Sequence, residues 1–309
     1  MNKESAFYVF ILLIIALFFV GNTSYAQQES QYTEYMYNTI TINPAYAGSR
    51  KVLSFNGIYR SQWVGLDGAP ETIAFSVNSP LGRGKVGVGF DVGNDRIGPS
   101  TETNVAADFS YTIGLNRGIN LSFGLKGGFN TLNVDINKLN PDQQIDPSLY
   151  NVDKVSAIVG AGFFVHNDKW YVGLSSPNLL ETKYYDDVAV STATEKIHIY
   201  LIGGYVFNLS NSLKFKPTVL TKAVVGSPLA IDLSANFLFY ERFTLGAAYR
   251  FDAAVSALVG FQISNQLMLG YAYDYDTTEL GNYNSGSHEF FIRFEFGTKV
   301  RNNVNPRFF

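Results

Sequence analysis

The stretch Val105-Ala106-Ala107-Asp108-Phe109-Ser110-Tyr111-Thr112-Ile113, followed after a short break by Ile119-Asn120-Leu121-Ser122-Phe123-Gly124-Leu125-Lys126, decides the fold. In the first run Val105, Ala107, Phe109, Tyr111 and Ile113 alternate with Asn104, Ala106, Asp108, Ser110 and Thr112. In the second, Ile119, Leu121, Phe123, Leu125 and Phe129 alternate with Asn120, Ser122, Gly124, Lys126 and Asn130. Strand side chains point to opposite faces with a period of two, so each run has one apolar face and one polar or small face. Two hairpinned strands of about 10 residues with this pattern, in an exported chain, point to a transmembrane β-barrel.

Export is read from the first residues. Lys3 gives a positive start, Ala6 to Val20 is apolar throughout, and Ser24 and Ala26 are the small residues a signal peptidase reads before Gln27. The run is shorter than the roughly 20 residues of a membrane-spanning helix. Residues 1–26 are therefore read as a cleaved signal, with an uncleaved anchor as the alternative. No other stretch approaches helix-span length, so a membrane-embedded mature chain must cross as a closed barrel, which satisfies its backbone internally.

Composition narrows the classes further. The chain has 309 residues and no cysteine, which excludes disulfides and a lipoprotein anchor. Its net charge of −3, without any clustering of Lys and Arg, carries no nucleic-acid signature. An aromatic content of 15% beside only 16% charged residues suits a chain that exposes apolar surface to lipid, where a soluble β-sandwich carries more outward charge.

The alternation continues through residues 51–297 as about 14 strands, an even number as bacterial single-chain barrels require. Three of them are read as Thr103 to Gly114, Ile119 to Thr131 and Val155 to His166. Tight connections such as Asn167-Asp168, Glu241-Arg242 and Ser264-Asn265 alternate with longer ones, above all Leu132 to Lys154, Pro177 to Thr194 and Asp276 to Ser287. Short turns are periplasmic and long loops external in such barrels, which places both termini in the periplasm. Tyr205, Phe207, Phe239 and Phe243 then fall at one interface, and Trp63, Tyr249, Phe251 and Tyr273 at the other, as aromatic girdles.

The inward face carries the functional information. Gly87, Gly89, Ala106, Gly124, Gly128, Gly160 and Gly162 line a wall without filling the interior. Arg60, Asp91, Asp108, Lys126, Asp232, Arg250, Glu289, Arg293 and Glu295 add inward charges of both signs. Mixed signs suit a plugged lumen with internal ion pairs better than an ion-selective pore, whose rings have one sign. The irregular segment 27–50, which keeps neither a strand nor a helix period, is the candidate plug or periplasmic segment, and 298–309 the periplasmic tail.

No catalytic or metal-binding set emerges. His166 lies at a tight turn and His288 near the opposite rim, so with His198 they do not converge on a metal, and a Ser paired with His288 has only the polar ends of strands for context. Gly87, Gly89 and Gly93 sit within a strand with no following helix, unlike a nucleotide loop. Asp142, Asp146, Asp153, Asp186 and Asp187 miss calcium-loop spacing.

Two stretches go further. Gln31-Tyr32, Tyr35-Met36-Tyr37-Asn38 and Asn43-Pro44-Ala45-Tyr46-Ala47-Gly48 resemble the opening of the PorP/SprF family of type IX secretion system outer-membrane proteins. Tyr59-Arg60-Ser61-Gln62-Trp63-Val64-Gly65 and Gly68-Ala69-Pro70-Glu71-Thr72, ending in Ser79-Pro80-Leu81, resemble its second signature, and Pro306-Arg307-Phe308-Phe309 its usual tail. Thr39-Ile40-Thr41-Ile42 stands where that family has a more apolar lead-in.

The resemblance implies a non-enzymatic barrel without cofactor in the outer membrane of one of the Bacteroidota. Its partners would be a secreted adhesin or enzyme carrying a type IX export signal, whose export or surface attachment it assists, and periplasmic type IX components. Tyr150, Tyr184 and Tyr185 in the two largest outer loops are the candidate partner anchors, because aromatics dominate binding hot spots. The competing reading is a channel for hydrophobic molecules: Asn43-Pro44-Ala45 also resembles the plug motif of long-chain fatty-acid channels, and that reading asks for an apolar lumen pocket and a lateral wall gap. A general porin, the third class, asks for an open lumen.

Overall fold

The structure, a computed structural model, describes residues 32–82, 84–115, 118–136, 151–182 and 196–296. Tyr150, Tyr184 and Tyr185, the signal segment and the C-terminal tail lie outside the described residues. No described helix is long and apolar enough to cross a membrane.

One 15-stranded sheet makes up the described fold. Its segments are β1 (Leu53–Ser61), β2 (Glu71–Leu81), β3 (Val86–Ile97), β4 (Ser100–Gly114), β5 (Asn120–Val134), β6 (Val152–His166), β7 (Trp170–Ser176) and β8 (His198–Tyr205). There follow β9 (Phe207–Asn208), β10 (Leu213–Val224), β11 (Ala230–Phe239), β12 (Phe243–Arg250), β13 (Ala254–Gln262), β14 (Leu267–Asp276) and β15 (Ser287–Phe296). β8 and β9 are one stave: both pair with β10 in an unbroken register, Thr218 opposite Gly204 and Phe215 opposite Phe207. Val206 between them donates its N–H to the Lys169 carbonyl at 2.7 Å. The barrel therefore has 14 staves, as the alternation predicts.

Every pairing is antiparallel, and β15 returns to β1, from Leu53 opposite Phe296 to Ser61 opposite His288, which closes the sheet and removes its edges. The deciding hairpin is β4–β5, with Val105 opposite Phe129 and Asp108 opposite Lys126. Burial runs opposite to that of a soluble protein. Phe109, Tyr111, Phe123 and Leu125 are exposed, while Asp108, Ser110, Ser122 and Lys126 are buried. That inversion is what a lipid-facing wall around a filled interior requires.

The turns at one end of the barrel are all short, and the other end carries the long connections together with two short links, residues 98–99 between β3 and β4 and 251–253 between β12 and β13. On the turn side, Tyr205 and Phe207 (ring centroids 4.5 Å apart), Phe215 (6.1 Å from Phe207) and Phe237 (4.8 Å from Phe215) make a continuous outward belt. On the loop side Tyr249 and Phe251 stand 5.0 Å apart. Trp63 is different. It lies in the β1–β2 connection at a φ of 46°, half-buried, and its N–H meets Ser287 Oγ at 3.2 Å.

β4, β5 and β6 are each 15 residues long and extend beyond the expected bounds at the loop end, to Ser100, Val134 and Val152. The added residues include Ser100, Thr101, Asn133 and Asp153. Above the membrane no apolar outward face is needed, so backbone pairing continues where the alternation stops.

Candidate functional site in the lumen

The segment Tyr32–Arg50 is almost wholly buried inside the cylinder, although it contains only two short 3-10 turns, Thr39–Thr41 and Pro44–Tyr46. It descends the lumen. Thr33 stands in the loop half, where its N–H meets Glu289 Oε2 at 2.9 Å and its hydroxyl meets Asp274 Oδ2 at 2.6 Å. Tyr35 reaches Thr218 at mid-height (2.9 Å), and Ser76 donates to Asn38 Oδ1 at 2.6 Å. Arg50 ends the descent at Glu295, at the turn end, from which β1 rises. Sequence reading starts the chain at the turn end; β1 does start there, but the described chain ahead of it begins in the loop half.

Asn43-Pro44-Ala45 makes the tightest contact with the wall. Asn43 caps the second 3-10 turn, its Oδ1 accepting from Ala45 N at 3.0 Å, and its Nδ2 donates to the Phe163 carbonyl at 3.0 Å. The neighbouring Ile42 carbonyl accepts from Ser175 Oγ at 2.7 Å, and the Ala47 carbonyl from Ser110 Oγ at 2.8 Å. Tyr46 meets Phe164 edge-on with ring centroids 5.5 Å apart.

The small wall residues have a specific purpose. A Cβ on Gly124 would overlap the backbone of Pro44 and Ala45, one on Gly87 the Ala47 carbonyl, and one on Gly162 the Asn43 side chain. These glycines line the wall without filling the interior themselves, and what occupies the space beside them is the backbone around residues 43–48. They form a seat into which the backbone of residues 43–48 fits. Gly48 completes it: at a φ of 70°, a conformation that glycine adopts freely, it packs against Gly87 and Pro80.

Charge supplies the rest. Arg60 donates to Glu289 (2.9 Å), Asp274 (2.7 Å) and Thr33 Oγ1 (3.0 Å), tying β1, β14, β15 and the segment together. Lys126 bridges Asp91 and Asp108, and Arg250 pairs with Asp232 at 2.8 Å. Arg293 and Lys216 lie over the Tyr37 ring at 5.8 and 5.5 Å from its centroid. Sequence reasoning missed Asp274, Lys216, Glu34 and Arg50. Asp274 and Lys216 stand on the inward parity of their strands and were legible from the same alternation. Glu34 and Arg50 lie in a segment without period, which offers no facing rule.

Glu34 sits fully buried between Arg60, Asp274 and Glu289, with Tyr37 beside it. Burial first, then the charges of Glu289 and Asp274, push its carboxyl well above the usual value, against the pull of Arg60. An acid that holds its proton more tightly when folded stabilises the fold below its unfolded pKa, and this contribution is lost as pH rises towards the folded one. Seating of residues 32–50 should therefore weaken as pH rises above about 4.3, the unfolded Glu value. Protease protection of this segment, followed against pH in detergent, should be flatter in Glu34→Gln, which stays neutral throughout.

The second signature divides between wall and rim. Arg60 is the buried anchor above, whereas Trp63, Gly68, Ala69 and Pro70 belong to the β1–β2 connection. That loop is pinned on both sides: Val64 exchanges backbone hydrogen bonds with Ser285 (2.8 Å) and Gly286 (2.9 Å), and Gly98 N–H meets the Gly68 carbonyl at 2.9 Å. Within it Gln62 N–H meets the Pro70 carbonyl at 2.9 Å and Ala69 N–H the Leu66 carbonyl at 3.3 Å. It borders an open cavity of about 370 Å3 lined by Gln62, Leu66, Asp67, Glu71 and Arg96. The histidines are separate: His288 pairs with Tyr271 at 2.7 Å, His198 stacks on Tyr200, and His166 lies against Phe164.

A family model described as "Type IX secretion system membrane protein PorP/SprF" matches residues 24–294. Among curated proteins no match is found. Similar solved structures include the CymD monoaromatic hydrocarbon channel, at 11% identity, covering 84% of this chain and 92% of that one with a TM-score of 0.49. A FadL homologue of Pseudomonas aeruginosa matches at 11% identity over 80% and 89% of the two chains (TM-score 0.43). The KdgM porin matches at 10% identity over 79% and 99% (TM-score 0.38).

Proposed function

The chain belongs to the family of type IX secretion system membrane proteins PorP/SprF, and on that premise we propose that it assists the export or surface attachment of a large secreted protein by binding it. It is a non-enzymatic outer-membrane β-barrel of a Gram-negative bacterium. The observation that carries the proposal is the seated segment Tyr32–Arg50, which occupies the space a solute would need. With its lumen filled, the barrel has its rims and loops left for binding. A hydrophobic-molecule channel would need an apolar lumen pocket, whereas Arg60, Lys126, Asp108, Glu289 and Arg293 are buried around this one.

The test is co-purification from the native outer membrane in mild detergent. A secreted protein bearing a type IX export signal should come down with the barrel, and the isolated barrel should be silent in planar bilayers. Steady conductance without such a partner would overturn the proposal.

The proposal also sets an orientation, with the long loops outside the cell and the tight turns in the periplasm. The chain has no cysteine, so single introduced thiols report cleanly. Asp67→Cys, exposed in the β1–β2 loop, should react with an impermeant maleimide on intact cells. Asp168→Cys, exposed in the β6–β7 turn, should react only after the outer membrane is permeabilised. Tyr32→Cys should follow the loop side, since Thr33 is held in the loop half of the lumen. The reverse pattern would invert the placement.

A further inference from the structure

At the loop end of the wall Ser61 of β1 stands opposite Glu71 of β2, and Glu71 opposite Arg96 of β3. The next outward row down is Tyr59, Ile73 and Asn94, followed by Gly57, Phe75 and Val92, then Phe55, Val77 and Phe90. Cross-strand partners share a face, and Tyr59, Ile73, Phe75 and Phe90 are exposed, so all four rows look outward. Glu71 and Arg96 are therefore the first charged residues above an apolar, lipid-facing band. That is the level of the membrane interface.

The cavity of about 370 Å3 lies at this level. Ser61, Glu71 and Arg96 line it from the outer side of the wall, and Gln62, Leu66 and Asp67 from the β1–β2 loop. Its volume falls in the range of small-ligand sites, roughly 300–1,000 Å3. The loop that frames it is preformed. Leu66 N–H closes a turn on the Trp63 carbonyl (3.1 Å) and Ala69 N–H one on the Leu66 carbonyl (3.3 Å), each with a glycine of positive φ in third position, Gly65 at 100° and Gly68 at 74°. Trp63, at a φ of 46°, holds a conformation that is unusual for a bulky side chain and persists only where its surroundings fix it. Here Ser287, Ser285, Gly286 and Gly98 do so through the bonds described above.

The charges have both signs. Arg96 and Glu71 pair at 2.6 Å with side chains 56% and 42% exposed, an ion pair of the kind that contributes little to the fold and can re-form on a ligand. Asp67, also exposed, adds a second carboxylate. A guanidinium fork matches a phosphate bidentately, and two carboxylates beside it suit an ammonium.

We propose that this rim cavity binds the headgroup of a membrane lipid carrying a phosphate and a primary amine, in the leaflet at the loop end of the barrel. Arg96 takes the phosphate, Asp67 and Glu71 take the ammonium, and the acyl chains run down the wall over Ile73 and Phe75. The site needs only the membrane barrel, and is independent of what the loops capture.

The full chain in mild detergent is titrated with phosphatidylethanolamine, phosphatidylcholine or phosphatidylglycerol, and bound lipid is counted by native mass spectrometry. Phosphatidylethanolamine should bind most tightly: the quaternary ammonium of phosphatidylcholine has no N–H to donate, and phosphatidylglycerol has no cation. Arg96→Ala should weaken it about tenfold, the loss expected of a charged hydrogen-bonded contact. Asp67→Asn combined with Glu71→Gln should bring it down to the level of phosphatidylcholine. Arg242→Ala, exposed in the β11–β12 turn at the other end, should bind as wild type does. Unchanged heat-modifiability on gels would certify that every variant is folded. Equal retention of the three lipids by wild type, or undiminished binding by Arg96→Ala, means annular lipid only and overturns the site. Preference for phosphatidylglycerol, or an equal loss in Arg242→Ala, overturns it as well. Inorganic phosphate should not displace the lipid; displacement would make the cavity a phosphate site and overturn the lipid.

Discussion

Arg60→Ala should be among the most destabilising single substitutions in this chain, costing about 3–5 kcal/mol of unfolding free energy in detergent. The guanidinium is almost fully buried and is shared by Glu289 and Asp274, so its removal leaves two carboxylates facing each other without the cation that offsets their repulsion and desolvation. It also removes a donor to Thr33 Oγ1, and with it the upper tether of residues 32–50. Two readouts separate the effects: urea unfolding reports the barrel, and protease cleavage within residues 32–50 reports the tether. Arg60→Lys keeps the charge but not the three-way fork, and should recover part of the stability while leaving the segment more open to cleavage. Wild-type stability and protection in Arg60→Ala would mean that the buried pair is replaceable by water entering from the loop side.

The second large effect is functional. Gly124→Phe should turn a silent barrel into a conducting one. The new ring would occupy the position of the Pro44 and Ala45 backbone, which cannot yield without leaving its seat. Overpacking of about 3 kcal/mol shifts a seated-to-unseated ratio by roughly 100-fold. Bilayer recordings should then show discrete openings like those of a barrel lacking residues 32–50. Gly127→Phe is the matched control: it points outward, with nothing within 4 Å of an added Cβ, and should stay silent. If deletion of residues 32–50 leaves conductance unchanged, the segment does not close the lumen and the role assigned to it falls.

Much of this was legible in one dimension. Val105 to Phe129 alone reveals a strand pair with an apolar and a polar face, and the same period places Asp108, Lys126 and Glu289 inside. Strand ends were less legible. Ser100, Asn133 and Asp153 lie beyond the lipid, where the outward face needs no apolar residue, so the alternation stops before the ladder does. What Gly87 and Gly124 touch is not legible for a different reason. A small inward residue looks the same in sequence whether it borders empty space or another backbone.

By itself, then, the sequence determined the barrel, its number of staves and the sign of the charges turned inward, because a strand's facing is a local property fixed by the two-residue repeat. Only the tertiary structure decided who meets whom: that Arg60 holds Glu289 and Asp274, that Asn43 bonds Phe163, and that β6 outlasts its neighbour. Those outcomes join residues more than a hundred positions apart, or depend on where a connection leaves the wall. Closure of β15 onto β1 brings them together, and no short-range pattern encodes it.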